Sequence, residues 1–472
     1  SFISDETGNI VADCDSETEG FITHCFDLKT IAQTRASWGV FRDRRPDLYG
    51  CLLSLDGMTP GVNTMAVNMP KVQHSVSSDV KRLKTTSLPP YKKETPCYQM
   101  PAEWSPHAGT WMGFPTSKAT WYGGAQPAQE RFVSLARCIA NFEPVTMVVP
   151  GNLYSKAVSL FGGIGDGGGD GTKHGVRLLE MSSNDGSWLR DQAPTFVVDR
   201  NGVSGVSGVC WKFDAWGKAC YDDFSLDALM SQKICATERL ACFTPDMVLE
   251  GGSVHVDGEG TLLTTEECLL NANIKGNKRN PTLMKAEIEA KLKRYLGVSK
   301  VLWLPFGMVG DDDTAGHVDN MCCFLRPGVV LLHWCEKAEN AEQYERCEAA
   351  LSYLAAQTDA LGRPIQVIKM PSPSPLYLTA EECDGLEEEE GGCGFEREVG
   401  SKLPASYINF YICNGAVIVP QFGGGSSERD KVALDLIKKE FPERTVIGFS
   451  SRVILCGGGN IHCTTMQQPI SY

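Results

Sequence analysis

NMCCFLRPGVVLL, residues 320–332, consists of two apolar runs separated by a short turn that holds Pro327 and Gly328. An apolar run, a Gly-containing turn and a second apolar run form the signature of a β-hairpin. The same form recurs as PTFVVDRNGVSGV (194–206), SVHVDGEGTLLTT (253–265) and NFYICNGAVIVPQ (409–421). Copies spread over so long a stretch point to one repeated supersecondary unit rather than to separate domains. Helical periodicity fills the gaps, in KAEIEAKLKRYLG (285–297), AEQYERCEAALSYLAAQTDALG (341–362) and SERDKVALDLIKKEF (427–441),. Hairpins alternating with helices define an α/β fold class. Repeated around a circle they make a propeller whose blades each carry a helix; an open α/β sheet is the alternative that periodicity leaves standing.

Outward from this patterned region the chain changes character. Residues 1–95 carry short mixed segments that end in the polar stretch HSVSSDVKRLKTTSLPPYKKETP (74–96), which reads as a linker. The expected organisation is therefore an N-terminal extension over 1–95, partly disordered or loosely packed, and a patterned domain over 96–472. FGGIGDGGGDGTKHG (161–175) and DGLEEEEGGCGFEREVG (384–400) read as solvated insertions without chemistry of their own,.

The bulk numbers exclude several classes. A net charge of −14 argues against nucleic acid, whose phosphates need a basic stripe. No apolar run is long enough to span a bilayer. The acidic N-terminus lacks a secretory h-region, although an opening at Ser1 rather than Met leaves an upstream targeting segment open. The 19 cysteines include no C-x-x-C pair. They read as the reduced, mostly buried thiols of a cytoplasmic protein, not as a zinc module or a disulfide framework.

Polar residues gather beside Gly or Trp in five places next to the repeats: NDGSWLRDQAP (184–194), LEGGSVHV (249–256), GDDDTAGHVDN (310–320), ASYINFYICNG (405–415) and CGGGNIHCTT (456–465). Matched positions of a repeat would converge on one axis. His317 and Asp319, two apart, share a face if they lie on a strand; such a pair moves protons or binds a cation, with a divalent metal as competitor and a structural role as the plain alternative. The glycines before Cys463 would let backbone N–H groups face a thiolate and lower its pKa. His462, adjacent to it, would point the other way on a strand. Asp191 and Glu250 precede strand-like runs, and Arg190 suits a structural ion pair. His107 and His255 read as satisfied structural histidines. Together, three carboxylates, one His and one Cys suit a guanidinium: carboxylates grip its planar N–H array, and its poorly electrophilic carbon needs a thiolate and a proton donor, with no metal or other cofactor.

At these motifs the sequence closely resembles the agmatine deiminases, from MPAEWSPHAGTWMGFP (100–115) through SWLRD, WKFDAWG, EGGS, TTEECLLN, the stretch around GDDDTAGHVDN, and ASYINFY to GGGNIHC. The resemblance is collinear over about four-fifths of the chain. It implies a five-bladed α/β propeller of ββαβ repeats (the pentein fold) and conversion of agmatine to N-carbamoylputrescine and ammonia in polyamine synthesis. By motif position it implies Cys463 as nucleophile, His317 as proton donor and then base, and Asp191 and Asp319 as guanidinium holders. Glu250 would steady His317, Trp188 would wall the aliphatic chain, and Asp313 would meet the distal ammonium. The implied partner is a small cationic substrate; a homodimer is compatible with the sequence. The chain departs from the family's GDEDTNGH at Asp312 and Ala315 and from its RDTGP form at Gln192 and Ala193, and it lacks the usual Arg-containing run before ASYINFY. A peptidylarginine deiminase and a non-catalytic propeller that binds a partner are the competing readings.

Overall fold

The computed structural model describes residues 2–4, 10–13, 98–162, 172–202, 205–270, 279–387 and 397–471. The chain divides into two compact units, residues 1–90 and 91–472. In the first, the strands Phe2–Ser4 and Ile10–Asp13 pair antiparallel. The expected loose packing of 1–95 otherwise falls outside the described residues, as do the centres of both insertions.

Among the described residues the second unit holds five separate sheets built on one plan: an antiparallel pair, then a helical crossover to a parallel third strand. In chain order the third sheet joins His255–Val256, Thr261–Thr265 and Lys300–Leu304 through the helix Lys285–Leu296. The fourth joins Cys322–Arg326, Val329–Trp334 and Gln366–Pro371 through Ala341–Ala355. The fifth joins Tyr411–Cys413, Ala416–Gln421 and Thr445–Ser450 through Ser427–Glu440. In the second, Thr195–Asp199, Val206–Val209 and Ala241–Phe243 use the helix Met230–Thr237, with Tyr98–Gln99 added at the edge. All four sequence-read hairpins form, because each turn lets neighbouring apolar runs pair at once; the parallel return needs a crossover, which the helices supply.

The first sheet has no local hairpin. Its strand His107–Gly113 pairs antiparallel with Thr465–Pro469 from the far end of the chain, with Met466 opposite Trp111. It then runs parallel to Val145–Val149 and onward to Val176–Glu180.

Successive residues of each central strand point to opposite faces, and here both faces are covered. Leu262 packs with residues of the second sheet while Leu263 packs with the fourth. Cys322 faces the third sheet and Cys323 the fifth, which explains the adjacent cysteines as two small hydrophobes serving two cores,. Tyr411 packs with Met112 of the first sheet, and Trp111 with Phe196 of the second. Strands buried on both sides read as unbroken apolar runs, without polar alternation. Among the described residues no helix is long and apolar enough to cross a membrane.

Candidate active site

Each candidate side chain sits in the short segment leading into the first strand of a sheet's antiparallel pair. Asp191 lies in the turn Leu189–Gln192 before the second sheet, and Glu250 begins the turn Gly251–Ser253 before the third. His317 and Asp319 open the turn Val318–Met321 before the fourth. Cys463 precedes Thr465–Pro469, which belongs to the first. His317 and Asp319 are thus not on a strand as read from their spacing; a helical turn aims both inward. All five are buried, with exposures of 6% or less.

Cys463 Sγ lies 3.5 Å from Asp319 Oδ2. Asn409 Nδ2 donates to that sulfur at 3.1 Å. His317 stands between two acids, Nε2 3.7 Å from Glu250 Oε2 and Nδ1 3.9 Å from Asp191 Oδ2. Asp191 accepts from the Gly252 N–H at 2.8 Å and from Trp216 Nε1 at 2.8 Å. Gly252 is required there, since a Cβ would come within 2.7 Å of His317 Nδ1 and 2.9 Å of both Asp191 Oδ1 and Asp319 Oδ2. Four buried polar atoms of the cluster make no hydrogen bond inside the protein: both ring nitrogens of His317, Glu250 Oε2 and Asp319 Oδ1. Burial without a partner is costly; Glu250 Oε2 and Asp319 Oδ1 are placed to accept from a ligand rich in N–H groups, whereas the two His317 nitrogens, held protonated, are donors.

Supporting residues that the sequence reading passed over complete the site. Arg279, fully buried, donates to Glu250 Oε1 at 2.7 Å and to the Thr314 carbonyl at 2.5 Å. His462 does not serve the thiol; its Nδ1 meets Asp319 Oδ2 at 3.0 Å and its Nε2 meets Glu103 Oε1 at 2.8 Å. Arg190 pairs with the same Glu103, as its motif suggested. Trp216 lies in a left-handed stretch, with Ala215 at φ 53° and Trp216 at φ 58°, a strained backbone of the kind that persists at functional sites. Cys268 lies within 4.8 Å of Glu250 and His317 ligand atoms. A polar Asn409 inside an apolar run and the repeated Trp of WKFDAWG were the available signals; Arg279 had none. His107 is satisfied by Glu143 and the Glu103 carbonyl, and His255 lies 3.5 Å from Glu103, both away from the thiol as expected.

The glycine tract does not act as read from sequence. Burial, then Asp319 and Asp191, push the Cys463 thiol well above its ordinary value. The glycines instead let large groups close in: a Cβ on Gly459 would lie 2.5 Å from Trp188, and one on Gly458, at φ 107°, 2.0 Å from Asp313. Trp188 stacks on Trp121 at 5.2 Å and lines a narrow cavity of about 30 Å³ with Cys463, Asp191, Asp185, Asp313 and Arg397. Arg397, from the acidic insertion, donates to Asp313 Oδ2 at 2.7 Å and to the Gly457 carbonyl at 3.1 Å. The insertion read as inert therefore reaches the site.

The remaining charges are set by their neighbours. Against the effect of burial, Asp191 above all, then Cys268 and Glu250, raise His317 well above its ordinary value. Burial is outweighed at Glu250, where Arg279 and His317 bring the carboxyl down to about 2. It is outweighed at Asp319 too, by His462 and His317. Burial, with Asp319 and Glu250, holds Asp191 up. These neighbours favour the protonated forms of Cys463 and His317 and the ionised forms of Glu250 and Asp319.

Ala315 carries a φ of 56°, the left-handed region that Asn enters more easily than Ala. Ala315→Asn should stabilise the fold by roughly 0.5–1 kcal/mol. Chemical denaturation with no rise in midpoint would contradict this.

The chain belongs to the family of Porphyromonas-type peptidyl-arginine deiminases, whose match spans residues 99–469. It is 48% identical over 382 residues to an agmatine deiminase of Medicago truncatula, covering 79% of this chain and 96% of that one. It is 46% identical over 376 residues to an agmatine deiminase of Pseudomonas aeruginosa (strain LESB58), covering 79% and 95%. The solved agmatine deiminase of Enterococcus faecalis superposes with a TM-score of 0.71 at 37% identity, over 79% of this chain and 96% of that one.

Proposed function

We propose that this chain hydrolyses agmatine to N-carbamoylputrescine and ammonia, a C–N hydrolysis of a linear amidine that leads toward putrescine. The observation that carries the reading is the convergence of Cys463, His317, Asp191, Asp319 and Glu250, four of whose buried polar atoms make no hydrogen bond within the protein. The relatives at 46–48% identity support agmatine over arginyl peptides. So does an outer cavity lined by Asp185 and Asp313, where Arg397 is already held by Asp313.

Asp191 and Asp319 grip the guanidinium nitrogens, and the substrate's own positive charge offsets the acids that keep Cys463 protonated. The Cys463 thiol gives up its proton to solvent, and the thiolate attacks the central carbon. The C–N bond to one terminal nitrogen breaks as His317 delivers its proton, and ammonia leaves an amidino-thioether on Cys463. Neutral His317 next takes a proton from water; hydroxide adds to the same carbon and the C–S bond breaks. Glu250 steadies the imidazolium, and Trp188 walls the methylene chain.

Ammonia release from agmatine, free arginine and a C-terminal arginyl peptide tests the assignment. Agmatine should be turned over with carbamoylputrescine as product; preference for the peptide would favour the peptidylarginine reading, and no turnover of any would favour a binding module. The pH profile follows from the charges. The working form has a thiolate and an imidazolium, and both groups titrate above their ordinary values. Hence kcat/KM should peak on the alkaline side of about pH 7; a peak on the acid side would contradict the assignment. Asp313→Asn should raise KM for agmatine about tenfold with little change in kcat. Arg397→Gln should lower it, because Arg397 competes for the same carboxylate; equal KM in all three proteins would remove Asp313 from the site.

The five sheets are best read as five blades of an α/β propeller around this site. In support, each apolar cluster is shared by sheets consecutive in the chain, and one joins the fifth to the first. Residues 96–472 form the catalytic domain in this reading, with 1–95 as an extension and the cysteine usage suiting the cytoplasm.

A further inference from the structure

Outside the site, three thiols meet on one face of the second sheet. Cys210 follows the strand Val206–Val209, whose Gly208 lies opposite Cys242 in the parallel ladder. The Cys210 N–H donates to the Phe243 carbonyl at 2.7 Å, which continues that register. Residues two apart on a strand, and residues opposite one another in a ladder, share a face. Cys210 and Cys242 therefore project the same way. The helix Met230–Thr237 covers that face and contributes Cys235, whose sulfur lies 3.6 Å from that of Cys210. Gly208 makes the room: a Cβ there would lie 2.2 Å from Cys235 Sγ. All three sulfurs fall within 4.8 Å of one another, and no histidine or carboxylate among the described residues joins the group.

Three sulfurs bound to one ion at the usual zinc–thiolate distance of about 2.3 Å stand about 3.8–4.0 Å apart. The Cys210–Cys235 separation of 3.6 Å is close to that spacing before any ion enters, and the third sulfur lies within 4.8 Å of both. Cys210 and Cys235 are buried, whereas Cys242 is exposed and offers a route in from solvent. Soft sulfur ligands without oxygen or nitrogen partners select thiophilic ions over magnesium or calcium.

We propose that Cys210, Cys235 and Cys242 form a three-thiolate site for a soft cation of the zinc or cuprous class, separate from the hydrolytic centre. Binding replaces three S–H bonds by three metal–sulfur bonds and releases three protons, with no change in oxidation state. The ion ties the crossover helix to two strands. Sheet two also leads, through residues 211–215, to Trp216 and its bond to Asp191.

The test is metal binding by the full chain, titrated separately with zinc and with cuprous ion. Stoichiometry is read by equilibrium dialysis and the ligand shell by X-ray absorption. Cys242→Ser, at an exposed position, and Cys235→Ala are compared with the parent, all three checked for fold by circular dichroism and for agmatine turnover without added metal. The expected result is one tightly bound equivalent with a three-sulfur shell, lost in both variants while turnover persists. Whichever ion gives that equivalent identifies the cargo. Equal stoichiometry in parent and variants, a shell of nitrogen and oxygen only, or no tight binding of either ion would overturn the proposal.

Discussion

Cys463→Ala should abolish agmatine turnover while leaving the fold unchanged. The side chain is small and buried, its sulfur accepting from Asn409 at 3.1 Å and facing Asp319 at 3.5 Å. Removing one sulfur from a cluster of acids leaves no new unpaired charge, so the stability change should stay within about 1–2 kcal/mol. The chemistry has no substitute: neither His317 nor any carboxylate of the site can form the thioether, and water attack on a resonance-stabilised cation is slow. Loss of a nucleophile that acts as one unit with its acid and base costs on the order of 10⁴-fold or more in kcat. Agmatine should still bind, because Asp191 and Asp319 remain. The measurements are ammonia release and calorimetric binding on the same preparation. Turnover within about tenfold of the parent would end the covalent mechanism.

The second large effect is expected at a residue that touches no substrate. Arg279 is wholly buried and supplies the charge that keeps Glu250 ionised at a carboxyl value of about 2. Arg279→Leu would leave a buried carboxylate with His317 as the cation that still faces it. Breaking one side of such a pair costs about 3–5 kcal/mol, since the other charge is left uncompensated. Glu250 would regain its proton more easily, and a neutral Glu250 supports the imidazolium less well. The alkaline limb of the activity profile should then move toward lower pH and kcat should fall. A double variant, Arg279→Leu with Glu250→Gln, removes the stranded charge. It should recover much of the stability but not the activity. That split separates positioning from mere support: recovery of both would make Arg279 structural only. A single variant within 1 kcal/mol of the parent, measured by denaturation, would show the pair to be dispensable.

The same two residues show how legible this protein is. Cys463 stands in a Gly tract that any reading of the chain marks. Arg279 follows a stretch with no signal, and its partner Glu250 lies 29 positions away. Neither its burial nor its aim can be read from local pattern. His462 was read as pointing away from the thiol, and it does, but not by strand alternation: residues 461–464 form a turn that swings the ring onto Asp319 and Glu103. The thiol's pKa was expected to fall because backbone N–H groups were the visible neighbours. The acids that raise it arrive from two other sheets.

Local chemistry alone determined a good deal. Four hairpins and three helices follow from apolar runs, turn glycines and helical spacing, because those signals act between residues a few positions apart. The five polar motifs were visible for the same reason, each being a break in an apolar run. Tertiary structure alone decided the rest. The first sheet gains its antiparallel strand only because Thr465–Pro469 returns to His107–Gly113, a pairing across most of the chain that no turn announces. Convergence of Asp191, Glu250, His317, Asp319 and Cys463 depends on the lead-in segments of four sheets meeting at one place. So does the charge state of each, since a buried ionisable group takes its pKa from what surrounds it in space rather than from what precedes it in sequence.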